Sequence, residues 1–388
     1  MKQANKSGLS SSVANTVLSL CQASYTVKCR PSSGSARPLR PPLPSEEARS
    51  LCVRNAHFYT SVRSGPRGHV FGVNSLTAGG PAQESLKRHQ YLNSLFPHEN
   101  STAFYGINQF SYLFPEEFKA IYLRSKPSRA PRYSAEVRTS IPSTSLPLRF
   151  DWREKHVVTQ VRNQQTCGGC WAFSVVGAVE SAWAIRGEPL EDLSAQQVID
   201  CSYNNFGCNG GSPLSALSWL NKTRVKLVRD SEYPFKAQNG LCRYFSSSQP
   251  GFSIRDYVAY DFSDQEDAMA QALLLSGPLV VIVDAVSWQD YLGGVIQHHC
   301  SSGKANHAVL VTGFDQTELL DLQKPNLRPE AVCPQVARVC TSLCLSGSTP
   351  YWIVRNSWGS SWGAEGYAYV KMRNNTCGIA DSVSAVFV

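Results

Sequence analysis

No stretch of this 388-residue chain approaches the roughly 20 consecutive apolar residues that a helix needs to cross a bilayer, so no membrane partner is expected. Nor is there net charge beyond the first 82 residues. That stretch carries ten Lys and Arg against two acids, Glu46 and Glu47, which accounts for the whole formal charge of +8. The remaining 27 basic and 27 acidic residues cancel, and a neutral body argues against nucleic acid as a partner. Cys167-x-x-Cys170 has no second C-x-x-C to complete a zinc site and does not follow a strand in a βαβ unit, as a redox pair does. His298-His299 beside Cys300 reads as an exposed loop. No metal and no cofactor are therefore expected. Internal repeats are absent, and so is a clear secretory start: Gly8 to Cys21 is weakly apolar and broken by Ser and Asn.

Cysteine, by contrast, is plentiful, at thirteen residues. Outside the segment 318–346, seven lie between Cys167 and Cys377, the odd number that three disulfides plus one reactive thiol would leave. Sequons at Asn100, Asn221 and Asn374 are candidate glycosylation sites and fit a secretory route.

Composition divides the chain. Residues 1–82 form a basic, Ser/Pro-rich leader without periodicity, expected to hold little ordered structure. Glu84, Arg88, Tyr91, Leu92 and Leu95 then recur at helical spacing, Phe104 to Phe110 alternates like a short strand, and Pro115-Glu116-Glu117-Phe118 reads as a proline-led helix start. A linker broken by Pro127, Pro131, Pro142 and Pro147 follows. The main body opens near Leu146. Its first half holds a buried-helix candidate, Cys170 to about Ile185. Its second half holds strand candidates at 277–283, 307–311, 351–354 and 366–370. The pattern predicts an α+β fold with a helical and an antiparallel β subdomain flanking a cleft. The segment 318–346, with Cys333, Cys340 and Cys344, interrupts this order as an atypical insertion.

The chemistry concentrates in Gln164-Gln165-Thr166-Cys167-Gly168-Gly169-Cys170-Trp171. A cysteine at the mouth of a helix meets the positive end of the macrodipole and unpaired N–H groups, both of which favour thiolate. The preceding glycines allow the tight backbone approach that such a turn requires. This segment resembles the nucleophile motif of papain-like cysteine peptidases, the cathepsin group, with Gly169 where Ser or Ala is usual. His307 lies 137 residues past Cys170, at the family's spacing; Asn356 lies 186 past it, which setting aside the insertion brings close to the family's spacing.

The resemblance implies a papain-like two-subdomain fold, with a helical left and a β-barrel-like right subdomain and an N-terminal inhibitory propeptide. Its domains would be a leader over 1–82, a propeptide over 83–145 and a peptidase over 146–388. It makes Cys170 the nucleophile, His307 its base, Asn356 the residue that orients that base, and Gln164 the oxyanion donor. Asn209, Gly210 and Gly211 would pair with the substrate backbone, Trp358 would cover the His307–Asn356 contact, and Pro213, Ile282, Ala305 and Ser382 would line the second subsite. Implied disulfides are Cys167–Cys208, Cys201–Cys242 and Cys300–Cys377. Glu84/Arg88/Tyr91 and Gly106-x-Asn108-x-Phe110 resemble propeptide motifs, although Tyr112 stands where an Asp is usual. Implied partners are protein and peptide substrates, the chain's own propeptide and cystatin-type inhibitors, for a lysosomal monomer. Against an active endopeptidase stands a second reading, a catalytically impaired papain-fold variant or binding module disrupted by the insertion. The state of Cys21, Cys29, Cys52, Cys333, Cys340 and Cys344 stays open.

Overall fold

The computed structural model describes residues 80–95, 102–127, 145–243, 250–301, 303–317 and 349–388. The leader up to residue 79, with Cys21, Cys29 and Cys52, lies outside the described residues. So do Asn100, most of the proline-broken linker, and the insertion at 318–346 with its three cysteines.

Three short elements open the described chain: α1 (Pro81–Ser94), β1 (Phe104–Tyr105) and α2 (Pro115–Tyr122). Proline begins both helices, where its missing N–H costs nothing and its fixed φ suits the first turn. Glu117 caps α2 by accepting the Phe114 N–H at 2.9 Å. The alternation expected across Phe104 to Phe110 yields only the two-residue β1, because Asn108 turns the chain: its Oδ1 accepts the Phe110 N–H at 2.9 Å.

In the body, β2 (Arg149–Asp151) precedes the central helix α3 (Cys170–Ile185), then α4 (Ala195–Cys201) and α5 (Pro213–Thr223). Ser194 and Ser212 cap α4 and α5 by accepting the N–H of Gln197 and Ser215. Residues Cys170 to Ala182 of α3 are buried on every side, which is why this stretch lacks an amphipathic stripe.

The second half supplies β3 (Asp256–Tyr260), α6 (Glu266–Ser276), β4 (Leu279–Val283), β5 (Tyr291–Gly293), β6 (Val295–Ile296), β7 (His307–Asp315), β8 (Tyr351–Arg355), β9 (Tyr367–Lys371) and β10 (Val383–Phe387). Among the described residues these strands, apart from β5, form with β2 an eight-stranded sheet in the order β3-β10-β4-β7-β8-β9-β6, with β2 beside β7. All pairs are antiparallel except β6 with β9. Successive side chains of a strand point to opposite faces, and here both faces are covered. Val280, Ala308 and Leu310 join the core around α3, whereas Val281, Val283, Val309 and Val311 join a second core with α6 and the aromatic residues. Continuous apolar runs are the consequence. The molecule is thus an α+β fold of two subdomains, with α3 against one face of the sheet.

Candidate active site

Cys170 is the first residue of α3, entered from Gly169. The turn before it is held by the Gly168 N–H donating to the Cys208 carbonyl at 2.8 Å, beside the Cys167–Cys208 disulfide. A Cβ on Gly168 would lie 2.6 Å from that carbonyl, so only glycine fits. Cys201–Cys242 and Cys300–Cys377 are also bonded, and among the described residues Cys170 keeps a free thiol.

His307 opens β7, across the groove from α3. Its Nε2 lies 2.7 Å from Asn356 Oδ1, just past β8. A carboxamide oxygen only accepts, so Nε2 donates and Nδ1 is left as the basic nitrogen; it has no hydrogen-bond partner. The Asn356 amide is fixed because Oδ1 also accepts the Ser357 N–H at 2.8 Å. The Trp358 ring stacks on the imidazole with centroids 4.6 Å apart. Ala308, next to His307, is among the backbone groups that hydrogen-bond the Cys170 sulfur. The three residues named from the sequence therefore come together from α3, β7 and the end of β8.

Gln164 is fully buried. Its Oε1 accepts the Ser357 hydroxyl at 2.6 Å, which orients the amide so that Nε2 donates to the Cys167 carbonyl at 2.9 Å and lies 3.5 Å from the Tyr122 carbonyl. Sequence reasoning missed Ser357, although it sits inside the Asn356-Ser357-Trp358 motif. It also missed Glu180, the lone charge in the otherwise uncharged helix 170–185, and a buried lone charge must find partners.

The described stretches 80–95 and 102–127 cover the groove. Arg88 Nε and the Ser85 hydroxyl donate to the fully buried Asp290 carboxylate at 2.6 and 2.9 Å. Strand β1 pairs with β5. Gln109 donates to the Trp358 carbonyl at 2.7 Å, and Phe110 and Phe118 each meet the Trp358 ring at 5.3 Å. Past α2, Arg124 to Lys126 run as a strap along Gly211: the Lys126 N–H donates to its carbonyl at 2.9 Å and the Arg124 carbonyl accepts its N–H at 3.3 Å. Ser125 donates to the Asn306 carbonyl at 2.9 Å. Gly210, at φ 112°, could carry no side chain, since a Cβ would lie 2.3 Å from the Arg124 carbonyl.

The other predicted residues fall around this groove. Asn209 is exposed in the turn before Gly210, and Pro213 is buried at the start of α5 on the helical side. Ile282 donates to the Ser382 carbonyl at 3.2 Å, and Ala305 is half-buried before His307. Asn374 is exposed; Asn221 is half-buried in α5 and donates to Asp256 at 3.3 Å. One expectation is corrected: of the His298-His299 pair only His298 is exposed. His299 is buried because its ring packs 5.0 Å from Tyr105 of β1 and hydrogen-bonds the Leu92 backbone of α1.

Covering the groove changes the charge states. Removal from water pushes the Cys170 thiol up to about 11, against the pull of the Ala308, Trp171, Arg124 and Ser125 backbone. The same desolvation pushes His307 down to about 4, against the contacts with Asn356 and Tyr122. Under the strap both groups are neutral.

The chain belongs to the papain family of cysteine proteases, whose sequence profile matches residues 146–387. Among its relatives, "Cathepsin O" of Homo sapiens is 75% identical over 306 residues, covering 79% of this chain and 86% of that protein. "Cathepsin O" of Mus musculus is 67% identical over 306 residues, covering 79% and 88%. Of the solved structures it resembles, digestive procathepsin L 3 of Tenebrio molitor larval midgut has a TM-score of 0.63 at 31% identity, covering 79% of this chain and 90% of that one. The recombinant stem bromelain precursor has a TM-score of 0.61 at 29% identity, covering 79% and 89%. The chain is thus a papain-like cysteine peptidase, and the impaired-variant reading is not favoured. Among the described residues no helix is long and apolar enough to cross a membrane, and no cluster of three or more His, Cys, Asp or Glu could hold a metal.

Proposed function

We propose that Cys170, His307, Asn356 and Gln164 carry out peptide-bond hydrolysis through an acyl-thioester, and that residues 83–145 hold this machinery silent until they are removed. The Cys170 thiol passes its proton to His307 Nδ1 as Sγ attacks the scissile carbonyl, while Gln164 Nε2 and the Cys170 N–H stabilise the oxyanion. His307 gives its proton to the leaving amine and then takes one from the water that releases the acyl group. Asn356 holds the ring in the tautomer this requires. The observation that carries the reading is the strap itself: an extended backbone lies along Gly211 with the Tyr122 carbonyl 3.5 Å from Gln164 Nε2. A groove that accepts this segment accepts an extended substrate by the same backbone pairing.

The neutral thiol and imidazole beneath the strap supply the silence, and water reaching the groove removes the largest cause of both shifts. The leader over 1–82, the propeptide boundary near Ser145/Leu146 and the peptidase over 146–388 belong to this proposal. So do the lining residues Asn209, Gly210, Pro213, Ile282, Ala305 and Ser382, a monomeric state, a lysosomal setting reached by the secretory route, and cystatin-type proteins as competitors for the open groove. The test is acid processing of the full chain and of its Cys170→Ala variant, with peptide cleavage and the new N-terminus read by mass spectrometry. Cleavage by the first alone is expected; equal cleavage by both would end the proposal.

A further inference from the structure

Glu180 lies on α3 nearly three turns beyond Cys170, and its carboxylate is fully buried. Oε1 accepts from an Arg162 guanidinium nitrogen and from the Leu193 N–H, the latter at 2.8 Å. Oε2 accepts the Thr159 hydroxyl at 2.6 Å and lies 3.9 Å from Arg355 Nη1. The two guanidiniums come from either side of the site. Arg162 is two residues before Gln164, and Arg355 ends β8 directly before Asn356.

Space has been made for this contact. A Cβ on Gly177, one turn before Glu180, would lie 3.0 Å from Arg355 Nη1, so glycine lets the sheet-borne arginine reach the helix. Arg162 shares its charge with Asp192 at 4.0 Å and Asp230 at 3.8 Å, but Arg355 has no other carboxylate within ion-pair reach among the described residues. The two arginine-bearing segments are also bound to each other: Arg355 donates to the Gln160 carbonyl, and Gly359 donates to the Arg162 carbonyl at 3.0 Å. A small cavity between α3 and β7 is lined by Arg162, Arg355, Asn356 and Ser357, so the charges and the site share one wall.

We infer that Glu180 is a positioning residue for hydrolysis, a buried anion that ties α3, and with it Cys170, to the segments that carry Gln164 and Asn356. The physical reason is that the nucleophile belongs to the helical half and its base and orienter to the sheet. Their separation is fixed only as well as the floor of the groove is fixed. A buried carboxylate shared by two guanidiniums has one low-energy geometry, and breaking it leaves uncompensated buried charge. Errors of about 1 Å in such a constellation cost roughly a hundredfold in rate.

The inference rests on the peptidase reading and is tested in the acid-processed full chain. For E180Q, kcat per titratable thiol falls roughly ten- to a hundredfold while KM changes little. Both limbs of the pH–kcat/KM profile move acidward, because two guanidiniums stand behind Asn356 without their anion and disfavour the imidazolium. E180D, which restores the charge, returns the limbs toward their original place. If the E180Q protein does not fold, the uncharged triple variant E180L/R162M/R355M replaces it, since apolar replacement of a buried ion cluster is often tolerated; its kcat is expected to fall as well. Wild-type kcat per thiol with unmoved limbs, in whichever variant folds, would overturn the inference. Activity lost only in proportion to folded protein would overturn it too. An inactive parent enzyme would instead count against the peptidase reading.

Discussion

Phe118 offers the sharpest test of how the strap is held. It is 1% exposed, and its ring meets Phe110 at 5.1 Å, Tyr122 at 5.5 Å and Trp358 at 5.3 Å. All of these except Trp358 belong to the covering segment, so Phe118→Ala weakens both the segment's own cluster and its seat on the body. Truncating a buried Phe costs about 3–5 kcal/mol, and three lost aromatic contacts place this site within that range. At about 1.4 kcal/mol per decade, even the lower figure raises the population of the open groove by roughly a hundredfold. The assay is alkylation of the full-length chain by iodoacetamide at neutral pH, followed by mass spectrometry on the peptide that contains Cys170. When opening and closing are fast, the rate follows the open population. The variant is expected to react about a hundredfold faster, up to the rate of an uncovered thiol. A folded variant that reacts at the parent rate would refute the reasoning, because the segment would then be held by its ends and not by this cluster.

Acid should loosen the same interface. His89 and His299 are both buried between the segment and the body, and desolvation lowers both pKa values below the ordinary 6.5. The covered state therefore binds fewer protons than the open one, so docking is strongest above about pH 6.5 and is lost progressively as pH falls below it through the lowered pKa values. Asp290 and Arg88, which face His89, pull in opposite directions. His89→Phe with His299→Phe should flatten the pH dependence of Cys170 alkylation between pH 7 and 5, and an unchanged slope would contradict this. Gln164→Ala should lower kcat of the processed enzyme by roughly a hundredfold or more, about 3 kcal/mol, as for other oxyanion donors. Ser357→Ala should cost less, since the amide stays but loses the hydroxyl that orients it; kinetics on titrated enzyme would rank the two. Gly210→Ala should clash with the Arg124 carbonyl and speed Cys170 alkylation in the full-length chain, whereas a parent-like rate would show that the strap can shift aside.

Most of the architecture could be read in advance because its signals are local. Helix α3 begins at Cys170, where small and apolar residues first run on without a break, and β4, β8 and β9 fall within two residues of the apolar runs that announced them, while β7 continues four residues past its run to Asp315. Cys170, His307 and Asn356 could be named because short motifs surround each. What stayed hidden was set by partners distant in the chain. Asp290 gives no sign of itself until α1 brings Arg88 to it across 202 residues. His299 looked exposed because nothing in its own neighbourhood announces Tyr105, and β1 ended early because one asparagine turned the backbone. Glu180 was legible as a lone charge in an apolar helix, but its purpose required knowing that Arg162 and Arg355 converge there.

The pairing of β1 with β5 has a consequence for the molecule after cleavage. Once the covering piece has left, as proposed above, Tyr291–Gly293 has lost its neighbour β1 and its backbone donors and acceptors face water, with Trp362 between it and the tryptophan that the departing aromatics had sheltered. Such an edge invites another extended chain. Maturation thus trades a closed surface for an adhesive one, and the released piece, while intact, is the first chain able to settle there again.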